Sequence, residues 1–260
     1  MDAVPLDDRG LTLGDGLFET LLARDGNLVA FEAHLRRMSQ GCAVLGLPPP
    51  DAALARRLCG EALNQADLRT GRAAVRLTLT AGSGGRGLDR PGVPAPRLLA
   101  TAAPAPPPAG PARVMIAKVR RNDGSPASRL KTLSYLDNVL ARREAAAAGA
   151  DEAVMLNSRG QVACAAVANL FWLSEGRLFT PALDCGVLDG IVRRELVVRA
   201  HAEGLPVEQA ACGLDALMSA QAAVLTNSLI GVRAVSWLDG RALESAALAL
   251  RLGGWVAALT

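Results

Sequence analysis

The chain has 260 residues, half of them hydrophobic and 3% aromatic, and a formal net charge of +3 at pH 7. That length buries a full aliphatic core, as one large domain or two moderate ones. The mild charge, with no basic run interleaved with aromatic residues, argues against a nucleic-acid partner, and no apolar stretch is long enough to span a membrane.

In the first part, "LTLGDGLFETLLARDGNLVAFEAHLRRM" (11–38) places Glu19 and Thr20 on a strand-like run, then a turn at Asp25-Gly26. Helical stretches follow in "FEAHLRRMSQGCAVLGL" and "DAALARRLCGEALNQADL", and "RAAVRLTLTA" and "RLLATAA" alternate as strands do. "ATAAPAPPPAGPARV" (100–114) reads as a stiff linker, because its prolines neither continue a helix nor donate within a central strand. Next come a strand in "RVMIAKV", a helix from Thr132 to Ala148, and short strands in "EAVMLN", "GQVACA", "NLFWL" and "RLFTP". A helix from Ile191 to Ala202, strands in "PVEQAA", "AAVLTNS" and "VRAVSWL", and a closing helix over 242–258 complete the chain. The expectation is a mixed α and β protein in two lobes: a smaller N-terminal α/β domain over 1–103, a proline-rich linker over 104–112, and a larger C-terminal domain over 113–260.

Nearly every positive charge is an arginine; the lysines are Lys118 and Lys131. A lysine amine can lose its proton and act as a nucleophile, which a guanidinium effectively cannot, so Lys131 in "SRLKTLSYLDNVLARREAA" is a candidate for chemistry. Five scattered cysteines without a CxxC fit reduced thiols in the cytoplasm and argue against a zinc site. The acidic opening "MDAVPLDDRG" lacks the apolar core of a signal peptide. Two histidines, His34 and His201, make a His-rich metal centre unexpected.

"GSGGRG" (82–87) matches GxGxxG after a strand, but the proline-broken "LDRPGVPAPR" that follows cannot open the helix a dinucleotide site needs. It reads as a flexible hairpin loop, or as a loop presenting Arg86 to an anionic substrate. "DCGVLDGIVRREL" (184–196) starts a helix whose free N–H groups at Ile191 and Val192 suit an anion; the plainer alternative is an ordinary helix capped by Asp189. Arg36 and Arg37 form a solvated pair unless one turns inward to a phosphate.

Taken in order, "DRGLTLGDGLFETL", "HLRRM", "SGGRG", "LKTLSYLDNVLAR", "NLFW", "GIVRREL" and "TNSL" resemble the fold-type IV (D-amino-acid aminotransferase-like) family of pyridoxal 5'-phosphate (PLP) enzymes. Branched-chain aminotransferases, D-amino-acid aminotransferases and 4-amino-4-deoxychorismate lyases belong to it, and the resemblance spans nearly the whole chain. It implies that Lys131 is the Schiff-base lysine and the acid–base group, and that Arg37 binds the cofactor phosphate. It implies further that Ile191 and Val192 N–H groups and the Ser228 hydroxyl complete the phosphate cup, that Tyr135 lies near the ring or its phenolic oxygen, and that Asn169 lies beneath the ring. The family's glutamate, five residues before the Asn of "NLF", pairs with the pyridine nitrogen; here that position is Cys164, a weaker partner for a protonated ring.

"SGGRG" and "ANLFW" look most like the lyase, which converts 4-amino-4-deoxychorismate to 4-aminobenzoate and pyruvate for folate precursor synthesis. Elimination there creates an aromatic ring, which lowers the demand on the cofactor as electron sink, so a lyase tolerates Cys164 better than a transaminase does. Arg86, Arg120 and Arg121 are candidate partners for the substrate carboxylates. An aminotransferase acting on D- or branched-chain amino acids and a PLP-binding protein with little turnover are the alternatives. The resemblance also implies a homodimer.

Overall fold

The computed structural model describes residues 4–259, and two compact units emerge. The first comprises the chain up to Pro106 together with Leu130–Ser134, and the second comprises Pro107–Arg129 and the chain from Tyr135 onward. The division is therefore not a single cut in the sequence.

In the first unit, an antiparallel sheet runs in the order β2 (Asn27–Leu28), β1 (Gly16–Arg24), β3 (Arg72–Thr80), β4 (Arg97–Pro104). Helices α1 (Arg9–Leu13), α2 (Phe31–Leu45) and α3 (Ala52–Gln65) accompany it. Alternate residues of β1 (Leu17, Leu21, Ala23) and β3 (Ala73, Val75, Leu77, Leu79) face one core. Phe31, Leu35, Met38 and Cys42 of α2 and Ala55, Cys59 and Leu63 of α3 fill that core at helical spacing. Asp51 starts α3 by accepting the Leu54 N–H at 2.7 Å, a side-chain cap.

β3 and β4 form a hairpin rather than flanking a helix, so "GSGGRG" lies in the connecting loop. Gly82 at its start has φ 82°, and a Cβ there would clash with the Ala95 carbonyl oxygen. β4 extends to Pro104, and the Ala105 N–H still donates to Arg72 O at 3.1 Å, so the ladder reaches into the stretch expected as linker.

The helix expected from Thr132 begins later, as α4 (Leu136–Ala147). Its first expected residues are held elsewhere by backbone bonds: Phe18 N–H donates to Lys131 O at 2.8 Å, Leu133 N–H donates to Gly16 O at 3.0 Å, and Thr132 bridges Leu17. Pairing with β1 outcompetes local helix propensity here.

The second unit is built on a nine-stranded sheet. Its main path is β10 (Val207–Ala210), β9 (Arg177–Pro181), β8 (Asn169–Ser174), β11 (Ala222–Asn227), β12 (Gly231–Leu238), β5 (Ala112–Ile116), β6 (Glu152–Leu156) and β7 (Val162–Ala165), with β13 (Arg241–Ala242) paired to β12. Beside α4 lie α5 (Ile191–Ala202), α6 (Leu214–Met218) and α7 (Ala246–Trp255). The closing helix is shorter than expected because Arg241 and Ala242 pair with Leu238 and Trp237 as a strand.

Side chains of β8 and β11 alternate between two cores. Leu170, Trp172, Ala223 and Leu225 face one. Phe171, Ala222 and Val224 face the other, with Val192 and Leu196 of α5 and Leu248 and Leu252 of α7. A third cluster, rich in alanine, joins α4 to β6 and β7 and contains Cys164. Among the described residues, no helix is long and apolar enough to cross a membrane.

Candidate active site

In the first unit, β1 places Glu19 on the same face as Leu17 and Leu21, toward the core, and it is 1% exposed. A carboxylate so buried needs partners. Arg37 on α2 donates from Nε to Glu19 Oε1 at 2.8 Å and from Nη2 to Oε2 at 2.5 Å. His34, one turn earlier on α2, places Nδ1 2.7 Å from Oε2. Burial opposes ionisation of Glu19, but the Arg37 charge, then hydrogen bonds from Arg37 and His34, outweigh it and bring the carboxyl down to about 2. Of the neighbouring arginines, Arg37 thus turns inward and Arg36 is exposed.

Lys131 is half-buried, with Nζ 4.4 Å from the centroid of the Phe18 ring. The Arg76 guanidinium also lies over that ring, at 3.7 Å. β1 therefore presents Phe18 on one face and Glu19 on the other, and the segment carrying Lys131 is stitched to β1 by the backbone bonds described above. Lys118, by contrast, is exposed.

The glycine-rich loop is held at its start by the Arg9 N–H, which donates to Gly82 O at 2.9 Å, and again just past its end. Arg9 donates to Asp15 Oδ2 (2.9 Å), Asp89 O (2.9 Å) and Leu88 O (2.8 Å), while Arg90 bonds both oxygens of Asp15 and donates to Leu45 O at 2.5 Å. Hydrogen bonding from Arg90, opposed by burial and assisted by Arg9, lowers the Asp15 carboxyl below its usual range. Arg86 stands exposed between these anchors.

In the second unit, Arg121 is 6% exposed and serves as a hub. It donates from Nε to Gly186 O at 3.0 Å, from Nη1 to Asn138 Oδ1 at 3.1 Å and from Nη2 to Ser128 O at 2.5 Å. Asn138 passes the connection on, donating to Ala166 O at 2.6 Å. Every nitrogen of this guanidinium thus serves a protein acceptor, and the side chain braces Gly186, Asn138 and Ser128. Its neighbour Arg120 is exposed.

Cys164 lies in the alanine-rich cluster with Ala117, Ala141, Ala145 and Ala166. Burial pushes its thiol pKa up; the Arg121 charge opposes that shift and the buried Glu152 adds to it. It is a neutral thiol at ordinary pH, in an apolar setting.

The N-terminus of α5 opens without a side-chain cap: Gly190 occupies the cap position. The alternative in which Asp189 caps this helix does not hold, because Asp189 instead pairs with Arg193 (3.2 Å) and Arg194 (2.6 Å). Asn169 donates to Leu188 O at 2.8 Å, and its Oδ1 lies so close to Gly190 that a Cβ there would clash. Ile191 and Val192 are buried in side chain, which leaves their backbone N–H groups as what the helix start offers. Ser228 sits half-buried in the turn after β11, a turn fixed by Asn227 Oδ1 accepting from Leu229 and Ile230 N–H, each at 2.9 Å. Tyr135 is half-buried at the cap position of α4, with no side-chain capping bond.

The structure therefore groups Asn169 with the start of α5, and Cys164 with Arg121. Sequence reasoning passed over Glu19 as a partner of Arg37, although the spacing Leu17–Glu19–Leu21 marks it as core-facing. It also passed over His34, Asn138 and Glu152. Glu152 is buried on β6, and its carboxyl is raised by burial against hydrogen bonds from Ala153, Val167 and Ala166 N–H groups.

Three likenesses bear on identity. An aminodeoxychorismate lyase from Vibrio harveyi is 31% identical over 246 residues, 91% of this chain and 88% of that one. A putative branched-chain-amino-acid aminotransferase from Methanocaldococcus jannaschii is 32% identical over 254 residues, 93% and 85% of the respective chains. The crystal structure of 4-amino-4-deoxychorismate lyase from Pseudomonas aeruginosa superposes with a TM-score of 0.86 at 32% identity, covering 98% of this chain and 95% of that one. The family described as amino-transferase class IV matches residues 16–238. With that match over most of its length, this chain belongs to the class IV aminotransferase family, and its fold is the two-unit α+β fold of that family's solved structures.

Proposed function

We propose that this chain is a PLP-dependent lyase that converts 4-amino-4-deoxychorismate to 4-aminobenzoate and pyruvate. The observation that carries the choice of reaction is Cys164, a buried neutral thiol where the resemblance places a carboxylate. Elimination toward an aromatic product asks less of the cofactor ring than reversible transamination does.

What supports a phosphate-bearing cofactor is the start of α5: a helix opening with no side-chain cap, a glycine packed hard against Asn169, and a buried hydroxyl on neighbouring β11, at Thr226, with no protein partner. Bound PLP supplies an electrophilic aldehyde for the substrate amine and a conjugated ring that takes up the electron pair left by proton removal. Lys131 Nζ would hold the cofactor aldehyde and would serve as the acid–base group for the proton at the substrate carbon. Ile191 and Val192 N–H groups and the Ser228 hydroxyl would hold the cofactor phosphate, and Arg37 is the phosphate-binding arginine that the resemblance implies. Asn169 would lie in the strand beneath the ring, Tyr135 near the ring or its phenolic oxygen, and Cys164 at the ring nitrogen. Arg86 and Arg120 are the exposed cations for the substrate carboxylates. We take the enzyme to be a cytoplasmic homodimer, a compartment in keeping with its free cysteines.

Transamination of D- or branched-chain amino acids is the second reading, favoured by the likeness to the archaeal aminotransferase. Borohydride reduction of the PLP-loaded protein, followed by peptide mapping, tests the cofactor assignment. It is expected to give a pyridoxyl adduct on Lys131; an adduct on Lys118, or none, overturns it. Turnover with amino-acid donors in place of 4-amino-4-deoxychorismate selects the second reading.

A further inference from the structure

Thr226 is fully buried, and its Oγ1 makes no hydrogen bond within the protein. On β11 its partner across the sheet is Asn169 of β8. Directly opposed residues of an antiparallel pair carry Cβ atoms about 5 Å apart on one face. That face is the one covered by α5. Val224 and Phe171, each two residues away along its strand, pack with Val192 and Leu196, and residues two apart on a strand share a face. Asn169 in turn abuts Gly190 and holds Leu188 O. The orphan hydroxyl thus stands beside the residue that underlies the uncapped opening of α5.

A valine fills the same face two residues earlier, and at position 226 it would pack equally well without a polar atom to satisfy. Buried hydroxyls are normally bonded, and one without a protein partner is costly unless something else accepts from it. The nearest hydroxyl-bearing neighbour in sequence, Ser228, lies past the end of the strand and is half-buried. Asn227 between them is spent on the turn and on Val167 O, to which it donates at 3.0 Å. Thr226 alone in this stretch has a buried donor with no protein acceptor.

We propose that Thr226 is a further anion-binding residue, whose hydroxyl donates to an oxygen of a phosphate monoester held at the N-terminus of α5. This rests on the reading above, in which that helix start receives the PLP phosphate. A phosphate oxygen carries enough lone pairs to accept from helix N–H groups and a hydroxyl together, and a buried neutral donor adds strength without a competing counter-ion.

The test compares wild type, Thr226→Val and Thr226→Ser, each titrated as the full chain with PLP, with pyridoxal (the same aldehyde without phosphate) and with inorganic phosphate. Thr226→Val is expected to weaken PLP and inorganic phosphate about tenfold (~1.4 kcal/mol), to leave pyridoxal within about twofold, and not to lower the unliganded melting temperature. Thr226→Ser is expected to retain phosphate affinity. An equal loss for PLP and pyridoxal, or unchanged affinity for both phosphate ligands, overturns the proposal. If the wild-type chain binds inorganic phosphate but not PLP, the cofactor reading fails; Thr226 then stands or falls on whether Thr226→Val weakens phosphate. If the wild type binds neither, both fail.

Discussion

The Glu19 carboxylate and the Arg37 guanidinium meet through two hydrogen bonds, at 2.8 Å and 2.5 Å, with the carboxylate 1% exposed. Removing one member of such a pair strands the other. Glu19→Gln is therefore expected to destabilise the protein by roughly 3–5 kcal/mol in urea or guanidinium unfolding. A loss below about 1 kcal/mol would show that Arg37 and His34 find other partners.

The same carboxylate makes stability depend on acid. Its folded pKa, about 2, lies below the ordinary 4.5, so its contribution is fully present above pH 4.5 and disappears as pH falls toward 2. At about 1.4 kcal/mol per unit, that is roughly 3 kcal/mol lost across this window. Wild-type unfolding measured from pH 6 to pH 2 is expected to show this loss, and Glu19→Gln to show a correspondingly flatter profile.

Arg121 and Arg86 are expected to separate cleanly. Arg121→Met leaves the carbonyls of Gly186 and Ser128 and the Asn138 amide without their donor, and is expected to cost about 2–4 kcal/mol of stability. Arg121→Lys does not rescue it, because an ammonium lacks the planar fork that reaches three acceptors. Arg86→Ala, at an exposed position, is expected to change stability by less than about 0.5 kcal/mol while raising KM for the dicarboxylate substrate. The opposite pattern, stability lost at Arg86 and KM at Arg121, contradicts the bracing role.

Cys164→Glu places a carboxylate where burial and Glu152 oppose its ionisation and Arg121 favours it. The alanine-rich surroundings are tight, and overpacking of this kind costs about 1–3 kcal/mol. A variant that folds and retains PLP is expected to show a shifted cofactor absorbance and to gain amino-transfer activity proportionately more than lyase activity. Retention of both the spectrum and the activity ratio means that Cys164 does not face the ring nitrogen.

Gly190→Ala forces a Cβ into Asn169 Oδ1 and is expected to lower PLP affinity at least tenfold. Asn169→Ser combined with it relieves the clash, so the double variant is expected to be less impaired than the two separate losses added together. Strict additivity in PLP titration counts against the contact.

The order of elements was readable from alternation and helical spacing, and α5 starts and ends where its pattern does. Long-range pairing was not readable. Nothing local in "LKTLS" says that its backbone bonds belong to β1, and this moved the start of α4 from Thr132 to Leu136. Local signals also left the adjacent Arg120 and Arg121 indistinguishable; only the topology sends one into the protein and the other outward. At α5, Asp189 has the right residue type for a cap, but two arginines within the following turn compete for it and win. The core position of Glu19 was available in the alternation of β1, while its partners required knowing that α2 packs on that face. Thr226, an ordinary strand residue by propensity, becomes informative only once its hydroxyl is seen to lack an acceptor.

The most direct measurement is the product assay on the purified, PLP-loaded chain supplied with 4-amino-4-deoxychorismate. The account predicts 4-aminobenzoate and pyruvate in equal amounts, abolished by Lys131→Ala. Absence of both products, alongside turnover of D- or branched-chain amino acids with a keto-acid acceptor, would contradict it.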